Sequence, residues 1–276
     1  MNPLYIHFLG TGGGRYTMIT QRRRTAGIRL IHEDTQVHID PGPGALVYSN
    51  MADLSPQKIS GLIVTHGHPD HYSDAEVFIE AMTRGGRDHR GVLAAPRSVL
   101  SGNQKVGPSL SRYHREMPER VETLKPGKRF MVGEMAFTAV KAKHSDPDTV
   151  GFVLDVPDVG RLGYTSDTGY FPGMEEQYSD LRLLILCTMW PRGMEIQKHL
   201  NSDDTLKILI GVEPACSLLT HFGMRMLDAE PKEEALYIEE QSKVPTIAAV
   251  DGLTVVLGEE IRFLEPEDGG ENRRIE

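Results

Sequence analysis

The sequence predicts an α/β protein built from short strands followed by helices in both halves of the chain. Three observations carry this. Short apolar, β-branched runs alternate with glycine-containing turns, helical periodicity falls between such runs, and no internal repeat or low-complexity linker divides the chain. In the first half, strands are expected at Leu4–Leu9, Ile28–Ile31, Val37–Ile39 and Leu62–Val64. Asp70–Met82 places Ala75, Phe78, Ile79 and Met82 on one face, which predicts an amphipathic helix. The second half repeats the arrangement, with strands expected at Ala136–Val140, Phe152–Val156, Leu183–Leu186, Ser217–Thr220 and Thr254–Leu257. Helices are expected at Asp203–Ile210 and Glu233–Gln241, with Ser202 as N-cap of the first and Asp203 and Asp204 at its positive end. Two sheets packed face to face with helices outside fit this pattern, and so does one doubly wound sheet. One domain over residues 1–264 is expected, followed by a polar, frayed tail over 265–276.

Composition narrows the classes further. Hydrophobic residues make up 39% and charged residues 25% of the 276, as in an ordinary globular protein. A chain this long buries roughly three quarters of its unfolded surface and needs no disulfides. Cys187 and Cys216 form no CxxC-type pair, which suits a reducing compartment. The N-terminus lacks a secretory pattern, and no apolar run is long enough to span a membrane. A cytoplasmic protein is therefore expected. The net charge of −9 argues against an extended, sequence-independent grip on nucleic acid. A small-molecule substrate is expected. Arg22-Arg23-Arg24 is the one candidate basic patch, although so short a run is usually solvated. Assembly into a homo-oligomer stays open.

The strongest local signal is Thr65-His66-Gly67-His68-Pro69-Asp70-His71, directly after the apolar strand Gly61–Val64. A loop at a strand's end lets several side chains converge without disturbing the sheet. Three imidazoles and a carboxylate at this density are ligands for zinc and its neighbours, where a merely His-rich surface loop is the competing reading. The H-x-H-x-D-H arrangement resembles the signature of the metallo-β-lactamase superfamily. That resemblance implies an αββα sandwich of two mixed β-sheets flanked by helices, with a two-metal site at one edge. It also implies three downstream ligands, and the chain offers His144 in Lys143-His144-Ser145-Asp146, Asp167 in Thr165-Ser166-Asp167-Thr168, and His221 in Thr220-His221-Phe222-Gly223.

Carried over residue by residue, the resemblance assigns His66, His68 and His144 to one metal ion and Asp70, His71 and His221 to the other, with Asp167 bridging. It implies a hydrolase acting through metal-bound hydroxide, in which Asp70 also orients the attacking water. The cofactors would be two divalent ions, zinc first, with manganese or iron also accepted by such ligands. Asp40 ends the strand Val37–Ile39, where a second carboxylate would fix a ligand histidine; a turn-forming Asp before Pro41 is the plainer reading. His199, in His199-Leu200-Asn201-Ser202, stands where ribonuclease Z-like phosphodiesterases place a histidine that contacts phosphate and protonates the leaving oxygen; a helix-flanking surface histidine is the competing reading. Phe8-Leu9-Gly10-Thr11-Gly12-Gly13-Gly14 is similar to the same branch.

Departures limit the resemblance. Only a short strand–turn–strand separates His144 from Asp167, without the arm that bacterial ribonuclease Z enzymes use on tRNA, which argues against tRNA 3′ processing. Neither cysteine stands at a ligand position, which argues against antibiotic hydrolysis. His68 is not glutamate, unlike in flavodiiron oxygen reductases. His7, His32, His38, His89 and His114 lack ligand spacing. Gly85–Arg90 and Gly102–His114 are expected as loops near the site mouth; Met189 and Trp190, after the strand Leu183–Cys187, either line the pocket or, as is commoner for such residues, pack in the core. The reading is a dinuclear phosphodiesterase for a small or nucleotide-type phosphodiester. The alternatives are hydrolysis of a carboxylic ester, thioester or lactone on the same metals, and a non-catalytic metal-binding protein.

Overall fold

A computed structural model describes residues 2–104, 106–194, 197–266 and 274–275. In chain order the strands are β1 (Leu4–Phe8), β2 (Ile28–His32), β3 (Thr35–Ile39), β4 (Gly61–Ile63), β5 (Val92–Pro96) and β6 (Arg120–Leu124). Then follow β7 (Arg129–Val132), β8 (Met135–Lys141), β9 (Val150–Val156), β10 (Gly160–Tyr164), β11 (Leu183–Trp190) and β12 (Leu200–Asn201). The last are β13 (Ser217–Thr220), β14 (Thr246–Ala248), β15 (Thr254–Leu257), β16 (Ile261–Leu264) and β17 (Arg274–Ile275). The α-helices are α1 (Arg15–Thr20), α2 (Ala45–Met51), α3 (Pro69–Tyr72), α4 (Ala75–Met82), α5 (Arg97–Leu100) and α6 (Arg112–Arg115). They continue with α7 (Ser202–Val212), α8 (Met224–Asp228) and α9 (Pro231–Ser242).

Among the described residues, one sheet runs β17-β16-β15-β1-β2-β3-β4-β5-β6, and the other runs β14-β13-β11-β10-β9-β8-β7, with β12 on β11. Strand alternation sorts side chains into layers. In β4 and β5, Ile63 and Ala94 face the other sheet, while Leu62 and Leu93 face the helices. In β11, Leu183, Ile185 and Cys187 face inward, while Leu184 and Leu186 meet α7 and α9 through Ile208, Leu209 and Ile238. The inner layer is closed by Phe130, Phe137 and Phe152, with ring centroids 5.0 and 5.5 Å apart along the series. Three apolar layers between four structural layers make the αββα sandwich, and the single doubly wound sheet is ruled out.

Several boundaries differ from expectation for local reasons. The helix expected over Asp70–Met82 is two, α3 and α4. The Asp74 amide donates to Pro41 O (2.9 Å) rather than continuing the ladder, so α3 can turn Asp70 and His71 away from the face that α4 lays on the sheet. Asn201, not Ser202, caps α7: its side chain accepts from the Asp204 amide at 2.8 Å, while Asp203 and Asp204 do occupy the first turn. Gly85–Arg90 precedes β5 and so lies at the end of the parallel pair β4–β5 away from the His-rich loop. Most of the polar tail expected from Glu265 lies outside the described residues; Arg274 and Ile275 pair with β16.

Candidate metal centre and active site

Strand direction explains where the polar loops gather. β1, β3 and β4 point the same way in one sheet, and β8, β10, β11 and β13 point together in the other. The loops after these carboxyl ends carry Gly13, Asp40, His66–His71, His144, Asp167, Met189 and His221, the position where open α/β sheets commonly bind ligands. Asp40 (φ 53°), Ser166 (φ 54°) and His221 (φ 62°) lie in the left-handed region, which the chain adopts to turn sharply out of each strand.

The first donor set is His66, His68, His144 and Asp167. His68 Nδ1 lies 3.0 Å from His66 Nε2 and 3.1 Å from His144 Nε2, and Asp167 Oδ2 lies 3.8 and 3.7 Å from those two Nε2 atoms. Ligands held at about 2.0–2.1 Å in a tetrahedron stand about 3.3 Å apart, so this spacing fits one small divalent cation. Burial, then the neighbouring His71, drives His66 well below the ordinary histidine range; burial, then His144, lowers His68. Both rings are thus neutral, with a lone pair to offer. His144 Nδ1 meets Lys198 O at 2.9 Å, which fixes its ring and leaves Nε2 toward the cluster.

The second set is Asp70, His71 and His221. Their nearest approaches are 3.0 Å between His71 Nε2 and His221 Nε2 and 3.4 Å between His221 Nε2 and Asp70 Oδ2. Asp167 Oδ1 lies 3.1 Å from His221 Nε2, so this one carboxylate faces both sets. Burial works to raise the Asp167 carboxyl, but His221 and His71 outweigh it and hold the group well below the usual range. His71 moves the other way: burial opposes its proton, yet Asp167, Asp40 and Asp70 raise it. Asp167 Oδ1 and His221 Nδ1 are buried with no hydrogen-bond partner among the described residues. Close-packed donor nitrogens and an orphaned carboxylate oxygen are what a bound cation would satisfy.

Asp40 stands behind the second set. Its Oδ2 lies 3.0 Å from His71 Nδ1 and accepts from Thr65 Oγ1 (2.8 Å) and Tyr164 OH (3.1 Å), while Oδ1 accepts from the Thr65 amide (2.7 Å). Ser166 Oγ donates to Thr65 Oγ1 at 2.7 Å and extends this buried network.

Three further contacts hold the donor loops. Asp146 is buried; its Oδ2 accepts from the Gly67 amide (2.9 Å) and Ser98 Oγ (2.6 Å), which ties the His66–His71 loop to that of His144. The Gly14 amide donates to Asp70 Oδ2 at 2.7 Å. Gly13 lies flat on His221, where a Cβ would stand 2.2 Å from the ring. The glycine-rich turn is thus a close-approach device for two of the donor side chains. The Arg22-Arg23-Arg24 run is partly spent locally, with Arg22 paired to Asp228 and Arg24 over the Tyr48 ring.

His199 lies at the edge of both sets, with Nδ1 3.7 Å from Asp167 Oδ2, and burial pushes it down to about 4. It lines a cleft of about 690 Å³ shared with His68, Asp70 and Asp167. Met189 and Trp190 line this cleft at the end of β11, the less common of the two places the sequence left open to them. Of the expected mouth loops, Gly102–His114 contributes Ser109 beside Gly67. Among the described residues, no helix is long and apolar enough to cross a membrane.

Two stacked sheets with imidazole and carboxylate donors gathered on one rim define a class of metal-dependent hydrolase. A family model for the beta-lactamase superfamily domain matches residues 35–222, and the chain belongs to the metallo-β-lactamase superfamily. It is 36% identical over 254 residues to the uncharacterized protein MJ1374 of Methanocaldococcus jannaschii, covering 91% of this chain and 94% of that one. It is 37% identical over 161 residues to ribonuclease Z of Thermococcus kodakarensis, covering 56% of this chain and 48% of that enzyme. The fold is similar to that of the metallo-β-lactamase fold protein YhfI from Bacillus subtilis, with a TM-score of 0.75 at 18% identity over 93% of this chain and 100% of that one.

Proposed function

We propose that the chain is a phosphodiesterase that works with two divalent cations, zinc first among them, on a small phosphodiester. The observation that carries this reading is the position of Asp167, which faces both donor sets and lies beside His199. In this reading His66, His68 and His144 would hold one ion and Asp70, His71 and His221 the other, with Asp167 facing both sets. When bound, such ions supply positive charge for the phosphoryl oxygens and a water acidified toward neutral pH.

The chain's own residues do the rest. Asp40 keeps the His71 ring oriented. Asp70, held by the Gly14 amide, faces the space where the attacking water would be oriented. Neutral His199 donates a hydrogen bond to a phosphoryl or departing oxygen; an arriving anionic diester favours its protonated form, from which the proton passes to the departing alkoxide. Likeness to a ribonuclease Z over part of the chain supports phosphodiester chemistry, although the chain spans about half the length of that relative. The apolar lining of the cleft supports a second reading, hydrolysis of a carboxylic ester, thioester or lactone. We further propose one catalytic domain over residues 1–264 and a cytoplasmic location, the latter supported by two cysteines that are both free thiols.

The test is turnover of bis-p-nitrophenyl phosphate by metal-quantified protein, beside a carboxylic ester and a thioester. Selective diester turnover is expected. His199→Ala should lower turnover of an unactivated dinucleotide diester about 100- to 10,000-fold, and that of the nitrophenyl diester, whose phenolate leaves without a proton, much less. Ester or thioester turnover alone would establish the second reading and make His199 incidental.

A further inference from the structure

The cleft beside the donor sets has a second half that the proposed chemistry does not use. α1 leaves Tyr16 76% and Ile19 71% exposed, an uncovered apolar surface at the cleft wall. Trp190, Met189 and Met224 continue that wall. Among the described residues, and apart from Asp70 and Asp167, which face the donor sets, and the histidines, the charged side chains lining the cleft are Arg15 and Arg225. Both are exposed, and neither guanidinium meets a carboxylate among the described residues. In a chain of net charge −9, this half of the cleft carries two arginines with no carboxylate partner among the described residues.

Each element has a chemical counterpart. Flat indole and phenol rings offer stacking faces, and thioethers pack well against aromatic rings. Unpaired guanidiniums suit the oxygens of a phosphate. An acyl chain would use the apolar wall and leave both arginines without a partner. We propose that the cleft binds a nucleotide arm: the base lies against the Trp190 and Tyr16 wall, and a second phosphate, beyond the scissile one, is held by Arg15 and Arg225. This rests on the phosphodiesterase reading and names its substrate class as a short nucleotide diester bearing a terminal phosphate.

Trp190 is the sole tryptophan, so its emission reports on this wall directly. The experiment titrates the metal-loaded full chain with a phosphorothioate-linked deoxyadenosine dinucleotide, with and without a terminal 5′-phosphate, and with a decanoyl thioester. Both dinucleotides should quench Trp190, the phosphorylated one binding about tenfold tighter. Arg15→Ala/Arg225→Ala should remove that advantage and keep the quenching. No quenching, a phosphate advantage that survives in the double variant, or tighter binding of the decanoyl thioester each overturns the proposal. Diester turnover without quenching removes this proposal and leaves the phosphodiesterase reading intact. Phosphate-dependent quenching in a protein that cleaves no diester supports the cleft assignment and overturns the hydrolytic reading.

Discussion

Asp40→Asn separates the two donor sets. The substitution keeps size and one acceptor oxygen but removes the charge. Three donors converge on the native carboxylate, at 2.7, 2.8 and 3.1 Å, and His71 Nδ1 lies 3.0 Å from it. An amide cannot accept from all of them, because its nitrogen is itself a donor. The set containing His71 should therefore lose about 10- to 100-fold in metal affinity, or about 1.4–2.7 kcal/mol. The His66, His68 and His144 set should lose less, since Asp40 reaches it only through Thr65. A two-step titration of metal-free protein against a chelating indicator would resolve the steps, with zinc as the probe. Circular dichroism would verify that the variant is folded. Equal weakening of both steps, or none, would refute the placement of Asp40 behind His71 alone.

Gly13→Ala should displace the His221 ring, since a Cβ would stand 2.2 Å from it; metal content is expected to fall toward one ion per chain, and a variant with two ions and full activity would contradict this. Exhaustive chelation should abolish turnover and lower Tm, because an ion present at a thousand times its Kd stabilises the native state by about 4 kcal/mol; the check is calorimetry before and after zinc is restored. Stability of the metal-free protein should fall as pH drops below 6.5. His7 is pushed down to about 4 and His38 well below its ordinary value, in both cases by burial and then by the Arg29 charge. The unfolded chain then takes protons that the native state refuses, so stability is lost between pH 6.5 and about 4. Urea midpoints at several pH values test this, and His7→Gln should flatten the slope.

The residues that could be named from sequence are those whose chemistry is local. The Thr65–His71 run declares itself because strand, loop and donors are contiguous, and the strand-then-polar pattern marks Asp40, His144, Asp167 and His221. The structure brings all of them onto one rim. Asp146 could not be found this way: its partners Ser98 and Gly67 lie 48 and 79 residues away. β6 was also hidden, because Arg120–Leu124 is an edge strand with mostly polar, exposed side chains and no apolar alternation. Met189 and Trp190 could be pocket or core by sequence, because they end an apolar strand, and the course of β11 past its inner-layer residues puts them in the cleft.

The same geometry explains why the rim must be held by polar contacts rather than by the core. The sandwich layers end with the strands, and the donors lie beyond them on loops that turn through left-handed conformations at Asp40, Ser166 and His221. Such conformations at non-glycine residues cost on the order of 1–3 kcal/mol each and persist only where the surroundings fix them. Here the surroundings are two buried networks. One joins Asp40, Thr65, Ser166 and Tyr164 across both sheets; the other joins Asp146, Gly67 and Ser98. Thr65 and Gly67 flank His66 in the chain, so the two networks grip its loop from either side. The donors are therefore held by side chains that contribute no ligand atom, at a spacing close to that of a coordination shell.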